Sequence, residues 1–125
     1  MTATRDGARR YRELAVATAS RGQLLLMAHE EMLRCVAQAA AAIAARDPAA
    51  RGGAIARAQA ILTELLVTLD HTVDAALAGG LQRLYHYAIA ELARADAEAS
   101  TVRLRDVRRV LQTLLEGWRG AVASA

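Results

Sequence analysis

Histidine and cysteine are the residues of this chain whose chemistry can be tested by spacing alone. There are three histidines, His29, His71 and His86, and one cysteine, Cys35. A di-iron carboxylate site in a helical bundle needs inward Glu residues and a Glu-x-x-His pair on each of two helices. The residues three before the histidines are Leu26, Thr68 and Arg83, so that site fails on spacing. No Cys-x-x-Cys-His run is present for covalent haem, and a lone thiol makes neither an internal disulfide nor a paired-thiolate metal site. Cys35 lies in an alanine-rich stretch, where it reads as a small core or groove residue rather than a nucleophile. No metal or cofactor is expected, and a single thiol suits a reducing cytoplasm.

Ala28-His29-Glu30-Glu31 superficially resembles the site of histidine phosphotransfer modules, which are helical bundles of this length with an exposed His. Those modules place a Lys and then a small residue soon after the His. Here Met32 and Leu33 occupy that space, and Glu30 and Glu31 would repel a phosphoryl group. His29 therefore reads as a partly buried or surface helix residue, and a phosphotransfer-type signalling bundle is kept as an alternative. Every basic residue is arginine. Arg105, Arg108 and Arg109 cluster opposite Leu104, Val107 and Leu111, but Asp106 interrupts them and the formal charge is only +3. A nucleic-acid reader wants a denser basic stripe with stacking aromatics, so this is a solvated helix face and no nucleic acid is expected.

The elements that carry these residues follow from composition. The chain of 125 residues is 54% hydrophobic but 3% aromatic, with one Pro and no Phe, and about a quarter of it is alanine. Such a chain favours helix over sheet throughout. The length fits one domain. No apolar run is long and charge-free enough for a membrane span, and Met1–Asp6 is not followed by a secretory-type apolar stretch.

Residues 1–19 are polar and basic around Tyr11, Leu14 and Val16, and predict a flexible or short-helical arm. Ser20-Arg21-Gly22-Gln23 has the form of a capping box. Asp47-Pro48, Asp74 and Ser100 are further start signals. They predict helices over about 21–46, 48–69, 75–97 and 101–121, forming an antiparallel four-helix bundle over 20–122. The fold class is all-α. Leu25, Met32, Val36, Leu111, Leu114 and Trp118 are assigned to the core. Gly79-Gly80 within the third helix predicts a loose first turn or a closely passing backbone.

The anomaly is apolar width. A bundle helix needs about three apolar positions in seven. The second helix offers Ile61, Leu62, Leu65, Leu66, Val67 and Leu69 in nine positions, and the third adds Leu81, Leu84, Tyr85, Tyr87 and Ile89. Either facing alanines leave room for all of them inside, or the surplus forms grooves for an apolar segment of another protein. Burying an exposed Leu contributes about 1.5–3 kcal/mol, so four or five anchors could hold a flexible peptide despite its ordering cost. A third reading is a structural bundle that self-associates through the wide stripe.

Read end to end, the chain resembles the flagellar export chaperones of the FliS family. The carrying residues are Tyr11, Ala19-Ser20, Gln23-Leu24, Leu26-Met27, Asp47, Ala58, Ile61-Leu62, Leu65, Leu69-Asp70, the Leu81-x-x-Leu84-Tyr85-x-Tyr87 stretch, and Val107, Leu111, Leu114 and Trp118. The chain departs from that pattern at His29-Glu30-Glu31, where the family usually has an aromatic, an Asp and a Gly. The resemblance implies a non-enzymatic cytoplasmic chaperone whose bundle binds the disordered C-terminal segment of flagellin, with the N-terminal arm able to lie over part of that surface. A second flagellar regulatory protein is a further partner the resemblance allows. The expected partner-binding residues are Tyr11 in the arm and Ile61, Leu62, Leu65, Leu66, Leu81, Leu84, Tyr85 and Ile89 as groove walls.

Overall fold

The computed structural model describes residues 2–124, and the described residues form four helices and no strand. They are α1 (Thr2–Ala44), α2 (Pro48–Thr68), α3 (Ala75–Glu98) and α4 (Thr101–Ser124). α1 packs on α2 and α4, and α3 packs on the same two helices, so α1 and α3 lie across the diagonal of an up-down-up-down bundle.

The starts of α2, α3 and α4 stand where their caps place them. The Asp47 carboxylate accepts the Ala50 N–H at 3.0 Å, with Pro48 in the first turn, where a missing N–H costs nothing. The Asp74 carboxylate accepts the Leu77 N–H at 3.0 Å, and the Ser100 hydroxyl accepts the Arg103 N–H at 3.2 Å. α3 ends at Ala99, a non-glycine residue held in the left-handed region at φ 48°.

The predicted break at Ser20 is absent. α1 continues through it for 43 residues, with Ser20 exposed on its side. A capping pattern starts a helix only where the preceding residues resist one. The residues before Ser20 contain no Pro, and alanine, arginine and leucine all favour helix. At about 1.5 Å per residue α1 is roughly 65 Å long, about twice the length of its neighbours α2 and α4. Its bundled part begins near Gly22, where a Cβ would stand 3.0 Å from Val122 of α4; a side chain there would need that helix end to yield. The part before it projects past the bundle, and the side chains from Arg5 to Glu13 are all exposed. The side chains of Leu14 and Val16 lie outside the described residues.

The interior is built from Met32, Cys35 and Val36 of α1, Ile55 and Leu62 of α2, Leu81, Tyr85 and Leu92 of α3, and Leu104, Val107, Leu111 and Leu115 of α4. Fully buried Ala39, Ala58, Ala88 and Ala95 lie among them. Small side chains at these positions let the helices approach and leave volume for one large ring, Tyr85, in the centre. Of the expected core residues, Met32, Val36 and Leu111 are buried, whereas Leu25, Leu114 and Trp118 are half-buried and Leu115 takes the inward position. Gly79 and Gly80 admit no passing backbone: a Cβ on Gly79 would meet only the end of Arg83, and one on Gly80 would meet nothing within 4 Å.

Candidate partner-binding surface

The geometry of the surface is set by one ion pair. Glu91 of α3 is buried, and its Oε1 accepts from Arg103 of α4 and from Arg94, each at 3.0 Å. This pair marks the sides of α3 and α4 that face each other. Two turns are about seven residues, so Leu84 and Leu77 continue the Glu91 side of α3, and Val110 and Gly117 continue the Arg103 side of α4. Leu84 and Leu77 thus line the α3 side of the seam, and Val110 and Gly117 the α4 side.

Away from the ion pair this seam opens. Leu84 is 39% exposed, Leu77 55% and Tyr87 42%, while Val110 and Leu114 are half-buried. Gly117 and Gly80 face open space, because a Cβ on either would touch nothing. These residues make an exposed apolar strip along the α3–α4 seam, a cleft only in the sense that Gly80 and Gly117 leave open space, with the charged cluster of Glu91, Arg94 and Arg103 at one end. A second, smaller apolar patch is formed by Leu24 and Met27, exposed on α1.

The residues expected to wall a groove divide into three groups. Leu62, Leu81 and Tyr85 are core residues, at 0%, 8% and 1% exposure, which corrects their placement as groove walls. The alanines of the facing helices leave room for them, so the second and third helices meet without a channel at these positions. Ile61, Leu65, Leu66 and Ile89 are half-buried and pack against the core. The α2–α3 seam is tied there by the Gln59 side chain, which donates to the Ile89 carbonyl at 3.2 Å. Leu84 alone of the α3 wall residues is exposed, and it faces the α4 side. Tyr11 is 75% exposed on the projecting part of α1. It precedes inward-facing His29 by eighteen residues, or five turns at about 3.6 residues each, so it prolongs the core-facing stripe beyond the last layer of the bundle. Sequence reasoning passed over Leu77 and Val110 as wall residues. The readable signal was the seven-residue spacing of Leu77, Leu84 and Glu91 in α3 and of Arg103, Val110 and Gly117 in α4.

Behind the cleft lies a buried polar column. His29, expected to be partly buried or at the surface, is fully buried. Its Nδ1–H donates to the Leu25 carbonyl at 2.9 Å, which leaves Nε2 as acceptor 3.5 Å from the Tyr85 hydroxyl. Trp118 packs on the same imidazole, with ring centroids 6.5 Å apart. The indole N–H faces the phenol closely enough to lower its pKa, without reaching ordinary hydrogen-bond geometry. Burial pulls the His29 pKa below its ordinary value, partly offset by the Leu25 carbonyl, and burial pushes the Tyr85 phenol up. His29 is thus held neutral and away from solvent, where it cannot accept a phosphoryl group from another protein.

The chain matches the family described as flagellar protein FliS over residues 4–125. It belongs to the FliS family. The flagellar secretion chaperone FliS of Bacillus subtilis (strain 168) is 28% identical over 114 residues, covering 91% of this chain and 84% of its own. The FliS of Campylobacter jejuni subsp. jejuni serotype O:6 is 36% identical over 97 residues, covering 78% of this chain and 76% of its own. The flagellar secretion chaperone FliSB of Pseudomonas aeruginosa is 32% identical over 108 residues, covering 86% of each. FliS is a family of chaperones of flagellum biogenesis. No helix among the described residues is long and apolar enough to cross a membrane.

Proposed function

We propose that this chain is a cytoplasmic export chaperone that binds the disordered C-terminal segment of flagellin, prevents its premature polymerisation and assists its delivery to the flagellar export apparatus. The observation that supports this reading best is the α3–α4 cleft, with Leu77, Leu84, Tyr87 and Val110 around a notch at Gly117. A segment that orders as an amphipathic helix can lay its apolar face there, using anchors at three- and four-residue steps. The segment is ordered only on binding, which costs roughly 2–5 kcal/mol and keeps the complex releasable. The projecting part of α1, with Tyr11 on the unpartnered continuation of the core-facing stripe, supplies a further surface that can join or cover the bound segment. No step of this function requires a metal, a cofactor or a covalent reaction.

The test is a polymerisation assay. Flagellin seeded to assemble is followed by light scattering with and without an equimolar amount of this protein. Suppression that disappears with Leu84→Asp supports the proposal, and undiminished assembly beside the wild-type protein contradicts it. A tight dimer that resists any peptide would favour the self-associating bundle instead.

A further inference from the structure

The column of buried His29 and Tyr85 and half-buried Trp118 joins α1, α3 and α4 at one level of the bundle. Its members Tyr85 and Trp118 immediately follow Leu84 and Gly117, which line the cleft. Whatever moves this column therefore moves both walls of the cleft. In the neutral imidazole one ring nitrogen donates to Leu25 and the other accepts from the Tyr85 hydroxyl. A second proton on His29 would make Nε2 a donor to the phenol oxygen, turn the phenol O–H away from its partner, and leave a net positive charge on a fully buried ring.

Among the described residues the one buried carboxylate, Glu91, is held by Arg94 and Arg103, and Glu116 of α4 is exposed. On α1, Glu30 is exposed and paired with Arg119, and Glu31 is paired with Arg34. On α3 the facing group is Tyr85, and neighbouring His86 is exposed. α4 presents Trp118, flanked by Arg119. The sole acid of α2, Glu64, is exposed. A buried cation without a counter-charge is expensive, so the bundle accommodates the proton by opening rather than by repacking. We propose that His29, Tyr85 and Trp118 form an acid-sensitive latch, in which protonation of His29 separates the end of α4 from α3 and loosens the cleft. The link to a bound segment rests on the function proposed above, whereas the latch itself does not.

Trp118 is the only tryptophan, so its fluorescence reports this site alone. Acrylamide quenching of the full chain without client is measured from pH 8 to pH 4.5, alongside far-ultraviolet circular dichroism. The latch predicts a step increase of severalfold in quenching below the ordinary histidine range while most of the helical signal persists. His71→Gln/His86→Gln retains the step, and His29→Phe removes it. His29→Gln, which is polar and non-titrating, serves if the Phe variant fails to fold. A wild-type protein with no step, or a His29 variant with the same step, overturns the proposal. Client peptide titrated at both ends of the pH range then reads the coupling separately. Loss of the latch would leave client binding at neutral pH untouched, so the two proposals fail independently.

Discussion

Glu91 of α3 and Arg103 of α4 meet at 3.0 Å, and the carboxylate end of that pair is buried while the guanidinium also holds Glu98 at 2.6 Å. The pair does two jobs. It satisfies a carboxylate that could not remain in the interior uncompensated, and it marks the sides of α3 and α4 that meet along the seam. Leu84 and Leu77 continue the Glu91 side of α3, and Val110 and Gly117 the Arg103 side of α4.

Gly117 is the sharpest probe of the cleft. A glycine in a helix interior costs about 0.5–1 kcal/mol relative to alanine, and nothing stands within 4 Å of a Cβ at this position. Gly117→Ala is expected to raise stability by about that amount in chemical denaturation. Gly117→Leu puts a side chain into the open space on the α4 side of the cleft, and is expected to weaken client binding at least tenfold while the melting temperature holds or rises. Improved folding with impaired binding separates the two roles.

The core residues once counted as groove walls behave differently. Leu62→Ala is expected to destabilise the fold by about 2–5 kcal/mol, because the residue is fully enclosed and the cavity cannot collapse completely. Leu84→Asp is expected to change stability far less. Denaturant midpoints for the two variants check the division.

Ala99 closes α3 in the left-handed region, where a Cβ is unfavourable by about 1–2 kcal/mol. Ala99→Gly is therefore expected to stabilise the protein by about 1 kcal/mol, offset in part by the freer unfolded chain. Urea unfolding reads the difference directly.

Stability should also fall with acid through His29. Its folded pKa lies below the ordinary value of 6.5, so the unfolded chain binds the proton more readily. The sign follows: the contribution of the neutral, buried ring is complete above about pH 6.5 and is lost as pH falls from there toward the folded pKa. Thermal melts at pH 7.5 and pH 5 should differ for the wild-type protein, and by less for His29→Gln.

Much of this fold was legible in the residues. Asp47-Pro48, Asp74 and Ser100 start three helices by satisfying end N–H groups locally, and local chemistry is what a sequence displays. Ser20 carried the same kind of signal and misled, since a capping pattern has no force inside a run that already favours helix. The site was less legible. The excess of apolar residues was visible, but which of them went inside depended on how much volume Ala39, Ala58, Ala88 and Ala95 left between helices, a property of four chains of side chains together. Leu62, Leu81 and Tyr85 were absorbed into that space. Leu84, adjacent to Tyr85 in the chain, lies on the Glu91 side of α3 and stays exposed.

The most direct test is calorimetric titration of the purified full chain with a synthetic peptide of the flagellin C-terminal segment from its own organism. The account predicts saturable binding with a negative heat-capacity change from apolar burial, lost in Leu84→Asp and Gly117→Leu while both variants keep the wild-type circular dichroism spectrum. Absence of binding by the wild-type chain, or affinity unchanged in both variants, would contradict it.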